Sequence, residues 1–97
     1  WMDILFEWDE EKALTNVEKH GVSFDEASTV FADDFSLTMY DERHSTYEDR
    51  YIVIGTSINN RLLVVVYTER TERIRIISAR PATANERRQY EQRNTAF

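Results

Sequence analysis

The spacing of apolar residues changes several times along the chain, and each change marks an element. Ile4, Phe6 and Trp8 alternate with Leu5 and Glu7, which predicts a strand over residues 3–8. Asp9 then precedes Glu10 and Glu11, a cap followed by acids suited to a helix N-terminus. Ala13, Leu14 and Val17 make the apolar stripe of that helix. Lys19 and His20 fall in its last turn, and Gly21 supplies a left-handed stop. Ser23-Phe24-Asp25-Glu26 reads as a capping box, with Val22 and Ala27 placed as a staple. The second helix carries Phe24, Ala27, Val30 and Phe31 and ends at Asp33-Asp34.

From Ser36 the pattern turns to strands. Residues 36–40 form a short one, and 41–47 a polar loop. Residues 50–56 form the next, and Asn59-Asn60 suits a hairpin turn. Residues 62–68 are continuously apolar up to Thr68, which predicts a central strand covered on both faces. Residues 73–80 form the last strand, ended by Pro81. Thr83-Ala84-Asn85-Glu86 is a second capping box, opening a surface helix over 84–93 with only Ala84 and Tyr90 apolar. The order predicts an α+β fold. Its sheet is mainly antiparallel, with two N-terminal helices packed on one face and a C-terminal helix. Residues 1–97 suit a single domain.

The stretch from Glu69 to Arg80 draws attention for its charge. Ile74, Ile76 and Ser78 alternate with Arg73, Arg75 and Ile77, so one face buries isoleucines and the other raises guanidiniums. Arg70 lies at the turn and Arg80 at the strand end. Four like charges this close repel one another, and an anion over that face would relieve them. The net charge of −6 hides an asymmetry. Residues 1–60 hold four basic and fourteen acidic side chains, whereas 61–97 hold eight and four. The C-terminal part can therefore make a local positive field.

Much chemistry has no support in the sequence. There is no cysteine, hence neither disulfide nor thiol chemistry. The two histidines stand far apart in sequence, and no metal-ligand pattern, nucleophile elbow, Gly-rich phosphate loop or redox cofactor motif occurs. No apolar run is long enough to span a bilayer and no signal peptide is visible, which suggests a cytoplasmic protein with Met2 as natural start. RNA cleavage needs less, because the 2′-OH nucleophile comes with the substrate. Arginines can neutralise the phosphate, and Glu69 is a candidate general base. His20 and Tyr67 are candidate proton donors or stacking groups. Each also has an ordinary structural reading, as ion-pair partner, helix cap and half-buried strand residue.

The chain resembles the BrnT toxin family. The resemblance rests on Phe6-Glu7-Trp8-Asp9, Lys12, Asn16, Lys19 to Phe24, Glu26-Ala27 and Val30-Phe31. It continues in Glu48, Arg50-Tyr51, Ile54-Gly55, Leu63 to Arg70, Arg73 to Arg80, Ala82-Thr83, Glu86-Arg87 and Tyr90. It implies a RelE-like fold and a metal-independent ribonuclease toxin of a type II toxin–antitoxin pair. It further implies a BrnA-like antitoxin partner, through which alone the complex meets operator DNA. On this resemblance the charged family positions fall on Glu69, Arg70, Arg75 and Arg80, with Lys19, His20 and Arg87 flanking, and we assign the first four to catalysis. Our own assignment adds Lys19, His20, Tyr67, Arg73 and Arg87 as RNA-binding positions. No metal or cofactor is implied. An alternative stays open at this point, a non-catalytic module whose arginine face holds an antitoxin segment.

Overall fold

Five strands form one sheet in the computed structural model, which describes residues 4–94. They are β1 (Leu5–Glu7), β2 (Leu37–Tyr40), β3 (Arg50–Thr56), β4 (Leu62–Arg70) and β5 (Arg73–Pro81), standing in the order β1-β5-β4-β3-β2. The apolar run thus lies in the middle strand, flanked by two strands on each side. Only β1 and β5 pair in parallel; the other pairings are antiparallel. Helices α1 (Glu10–His20) and α2 (Phe24–Ser28) cover one face, with a 3-10 turn over Thr29–Ala32 continuing α2. Helix α3 (Ala84–Asn94) lies against the other face through Tyr90, which packs on Ile54, Leu62 and Val64. Residue 3, where the sequence starts the first strand, and Met2, the expected natural start, lie outside the described residues.

The caps of α1 follow the expectation. Asp9 accepts hydrogen bonds from the N–H groups of Glu11 and Lys12, at 2.9 and 3.2 Å. Gly21 adopts φ 69° and donates to the Val17 carbonyl at 2.8 Å. A Cβ there would meet no atom within 4 Å, so only backbone strain opposes a side chain. Gly21→Ala is therefore expected to cost about 1 kcal/mol, read as a lowered melting temperature. An unchanged melting temperature would mean that the left-handed cap carries no strain for alanine.

The apolar stripe of α1 is a correction. Leu14 is 68% exposed and Val17 46%, while Ala13 is half-buried and Asn16 is buried. The cause is an open edge. Strand β1 stops at the pair Glu7–Arg75, so Ala79 of β5 has β4 on one side and no strand on the other. The Asn16 side chain fills that place. Its Oδ1 accepts from the Ala79 N–H at 3.1 Å, and its Nδ2 donates to the carbonyls of Ala79 and Val22, each at 2.8 Å. A buried backbone group without a partner is costly, so the amide is selected over an apolar residue.

Ser23 caps α2 by accepting from the Glu26 N–H at 3.0 Å. Val22, Phe24, Ala27 and Val30 are buried in the core that α2 shares with Val53, Leu63, Val65, Tyr67, Ile76 and Ala79. Gly55 permits that packing, since a Cβ there would stand 3.2 Å from the Val30 backbone oxygen. The Glu26 side chain does not close the capping box. It turns inward to a bidentate ion pair with Arg61, and it accepts from the Ser57 hydroxyl at 2.7 Å. The second box is complete: Thr83 N–H donates to Glu86 at 2.8 Å, and Glu86 N–H donates to Thr83 Oγ1 at 3.2 Å.

Candidate active site

Register decides which arginines share a face. Along β4, Leu63, Val65 and Tyr67 belong to the core under α1 and α2, and Val64 belongs to the opposite core under α3. Arg73 pairs with Arg70, Arg75 with Thr68, and Arg80 with Val64, so all stand on the face away from α1 and α2. Strict alternation would have put Arg80 beside Ile76 instead. A bulge corrects this: Tyr67 pairs with Ile76 but Val66 pairs with Ser78, leaving Ile77 as the extra residue. The bulge returns Arg80 to the face of Arg75 and leaves Ala79 in the core.

These arginines are not an unrelieved cluster, which corrects the premise drawn from the sequence. Arg75 donates to Glu7 at 2.9 Å, tying β5 to β1. Arg70 donates to Glu48 at 3.0 Å. Arg80 grips Glu86 with two bonds of 2.7 Å, tying β5 to α3. The Arg80 fork holds the Glu86 carboxyl down to about 2, against the opposing effect of burial and with help from Thr83. Arg73 is exposed and forms no ion pair among the described residues. Each guanidinium has five N–H donors, so a paired arginine keeps donors for a phosphate.

The structure gathers Arg70, Arg73 and Arg75 near the β4–β5 turn, where Thr71 and Glu72 take positive φ. Glu69 lies at the same end but on the other face, since it pairs with Ile74 next to the buried core. It borders a cleft of about 330 Å³ with Glu48, Asp49, Tyr51, Thr68 and Arg70. Tyr67 is only 7% exposed; its ring stacks on Tyr51 at a centroid distance of 5.6 Å and meets Phe31 edge-on at 4.9 Å. Burial, then the charge of Glu69, pushes its hydroxyl above the usual tyrosine range. Buried to this degree, Tyr67 offers no ring face for a base to stack on. The exposed end of that aromatic row is Tyr40, whose ring meets Tyr51 edge-on at 5.7 Å.

Lys19 and His20 do not join this group. Gly21 accepts from Arg61 at 3.0 Å, which places the end of α1 beside the start of β4. The seven residue steps from Leu62 to Glu69 span roughly 23 Å. Arg87 is exposed on the first turns of α3, near Arg80 rather than Arg73. Among the described residues no group of three or more His, Asp and Glu side chains is placed to hold a metal ion.

Two features of this face escaped sequence reasoning. Arg50 pairs with Thr68, which pairs with Arg75, which pairs with Glu7, so Arg50 belongs to the arginine row. The row extends to Asp41, whose N–H donates to the Arg50 carbonyl at 2.9 Å. Asp41 is buried and holds His44 through Nδ1, at 2.9 and 3.2 Å to its two carboxylate oxygens. The only sequence signal was the spacing of Asp41 and His44 in a polar loop, which by itself predicts no contact.

A family model described as the ribonuclease toxin BrnT of a type II toxin–antitoxin system matches residues 8–86. The chain belongs to the BrnT family. Among curated proteins none matches it. A crystal structure of the Brucella abortus ribonuclease toxin BrnT superposes with a TM-score of 0.61 at 24% identity, covering 84% of this chain and 99% of that one. The α+β fold of a BrnT toxin, with helices on both sides of a largely antiparallel sheet, is thus established. The BrnT match takes in the arginine row, Glu69, Lys19 and His20 and ends one residue before Arg87. Membership of a type II pair brings with it an antitoxin partner. No helix among the described residues is long and apolar enough to cross a membrane.

Proposed function

We propose that the chain is a metal-independent endoribonuclease, acting in the cytoplasm and silenced by a BrnA-like antitoxin. The antitoxin, not the toxin, carries the complex to operator DNA. The observation that carries the reading is the row of guanidiniums on one sheet face, with Arg80 returned to that face by the bulge. Arg70, Arg73, Arg75 and Arg80, which share one sheet face, would hold the phosphates of one RNA strand. Charge accumulates on the phosphate as the 2′-oxygen attacks, and fixed guanidiniums stabilise it without reorganising. The product strand ends in a 2′,3′-cyclic phosphate. Lys19, His20 and Arg87, at the far end of the sheet, would touch RNA beyond the scissile bond. Glu69, on the opposite face of β4, remains a candidate base for a substrate that enters the cleft it shares with Arg70.

The rival reading, a module that merely holds an antitoxin segment, draws support from the carboxylates already seated on these arginines, as an acidic partner chain would be. Incubating the purified protein with RNA in excess EDTA separates the two. Cleavage is expected to persist. Loss of cleavage with chelator, restored by a divalent ion, would sink the metal-independent mechanism. No cleavage under any condition would favour the binding module.

A further inference from the structure

The carboxylates seated on the arginine face of the proposed ribonuclease, Glu7, Glu48 and Glu86, are tied to guanidiniums and so are poorly suited to take a proton. We propose that His44, oriented by the buried Asp41, is the general base that takes the 2′-OH proton. The inference rests on the ribonuclease reading above and names a base for it in place of Glu69.

The geometry sets the chemistry of the ring. An ionised carboxylate only accepts, so Nδ1, facing both oxygens of Asp41, carries the hydrogen. In the neutral ring Nε2 is then the lone-pair nitrogen, and among the described residues it has no hydrogen-bond partner. The side chain is 63% exposed while its Asp41 partner is 10% exposed, so the anchor is buried and the working edge faces solvent. His44 opens on a cleft of about 480 Å³ with Arg43, Thr46, Tyr47, Glu48 and Arg50. The base and a cation for the phosphate therefore line one cavity. That cavity lies on the arginine face, because Asp41 and Arg50 continue the row that runs through Thr68 and Arg75.

The pair is not needed to close its loop. Ser45 Oγ donates to the Asp41 carbonyl at 2.6 Å and accepts from the Arg50 N–H at 2.9 Å. Those bonds and the Asp41–Arg50 backbone bond fix the turn without the imidazole. An imidazole held by a buried carboxylate and free at its other nitrogen is the arrangement that general-base catalysis requires.

The step balances as follows. The 2′-OH proton passes to His44 Nε2 as the 2′-oxygen bonds to phosphorus. The P–O5′ bond breaks, and the departing O5′ takes a proton from solvent. His44 then releases its proton to solvent, leaving a 2′,3′-cyclic phosphate and a 5′-hydroxyl.

The test uses single-turnover cleavage of an RNA oligonucleotide and binding of the same sequence with 2′-deoxy substitution at the cleaved position. His44→Ala is expected to lose about a hundredfold in rate while binding the uncleavable strand within about threefold of the parent. Added imidazole is expected to restore part of that rate, which no structural role for His44 would produce. Asp41→Asn is expected to fall between parent and His44→Ala, because an amide no longer fixes the tautomer. His44→Ala that folds and cleaves like the parent, or that loses activity without imidazole rescue while Glu69→Gln loses the hundredfold, overturns the assignment. A parent protein that cleaves no RNA overturns the ribonuclease reading itself, and His44 as its base falls with it.

Discussion

Arg75→Ala is expected to lower RNA cleavage about a hundredfold or more, the scale on which one charge-stabilising donor acts. Arg75 lies in the middle of the row, between Thr68 on β4 and Glu7 on β1. It is 29% exposed, so truncation removes an ion pair near the surface and leaves the core untouched. The stability cost should stay near 1 kcal/mol. Arg75→Lys should restore only part of the activity, because an ammonium keeps the charge and loses the planar fork. Arg88 serves as the contrast. It is exposed on α3, where it donates to Asn85 at 3.3 Å, so Arg88→Ala should act through long-range charge and fade as salt rises. Cleavage rates at two salt concentrations, with melting temperatures alongside, measure all three. If Arg75→Ala folds and cleaves normally but no longer binds the antitoxin, the face is a docking surface and not a catalytic one.

The largest stability effect belongs to Glu26. Its carboxylate is 8% exposed and is held by Arg61, with Ser57 adding a further bond. The Arg61 fork outweighs the cost of burial and lowers the carboxyl from 4.5 to about 2. The sign follows from linkage. A group that is a stronger acid in the folded state adds stability above its unfolded value and loses it as pH falls through the folded one. The contribution is therefore complete above about pH 4.5 and gone near pH 2, and its size is about 3 kcal/mol. Glu26→Gln should cost on that order at neutral pH, with the difference from the parent closing as pH falls toward 2. Arg61→Ala should cost at least as much, because it leaves a buried carboxylate unpaired. Urea unfolding of the parent and Glu26→Gln at several pH values reads it directly. A gap that stays constant with pH would show that the pair does not stabilise through its charge.

Local chemistry settled most of the elements. Asp9 and Gly21 bound α1 because a cap and a left-handed stop are properties of single residues. Thr83 and Glu86 close their box within one turn. The apolar run of β4 required cover on both faces, and that requirement by itself placed the strand in the centre. The resemblance to the BrnT family was likewise legible, since it lay in motifs spread along most of the chain, and the family match spans residues 8–86.

What the sequence left undecided were contacts between residues far apart in the chain. Leu14 and Val17 fit the helical period, but the open edge of β5 called for an amide, and Asn16 took the inward place. Glu26 had the spacing of a capping box, but Arg61, thirty-five residues away, offered the stronger partner. The bulge at Ile77 arises from the pairing of β4 with β5, and it alone determines that Arg80 shares a face with Arg75. Glu69 and Arg70 are neighbours in sequence and point to opposite faces, because successive strand residues alternate. Asp41, His44 and Arg50 are brought to the arginine row by the register of β2, β3 and β4. Period and capping report what one segment prefers, while register depends on the free energy of the whole sheet, and the site is built from register.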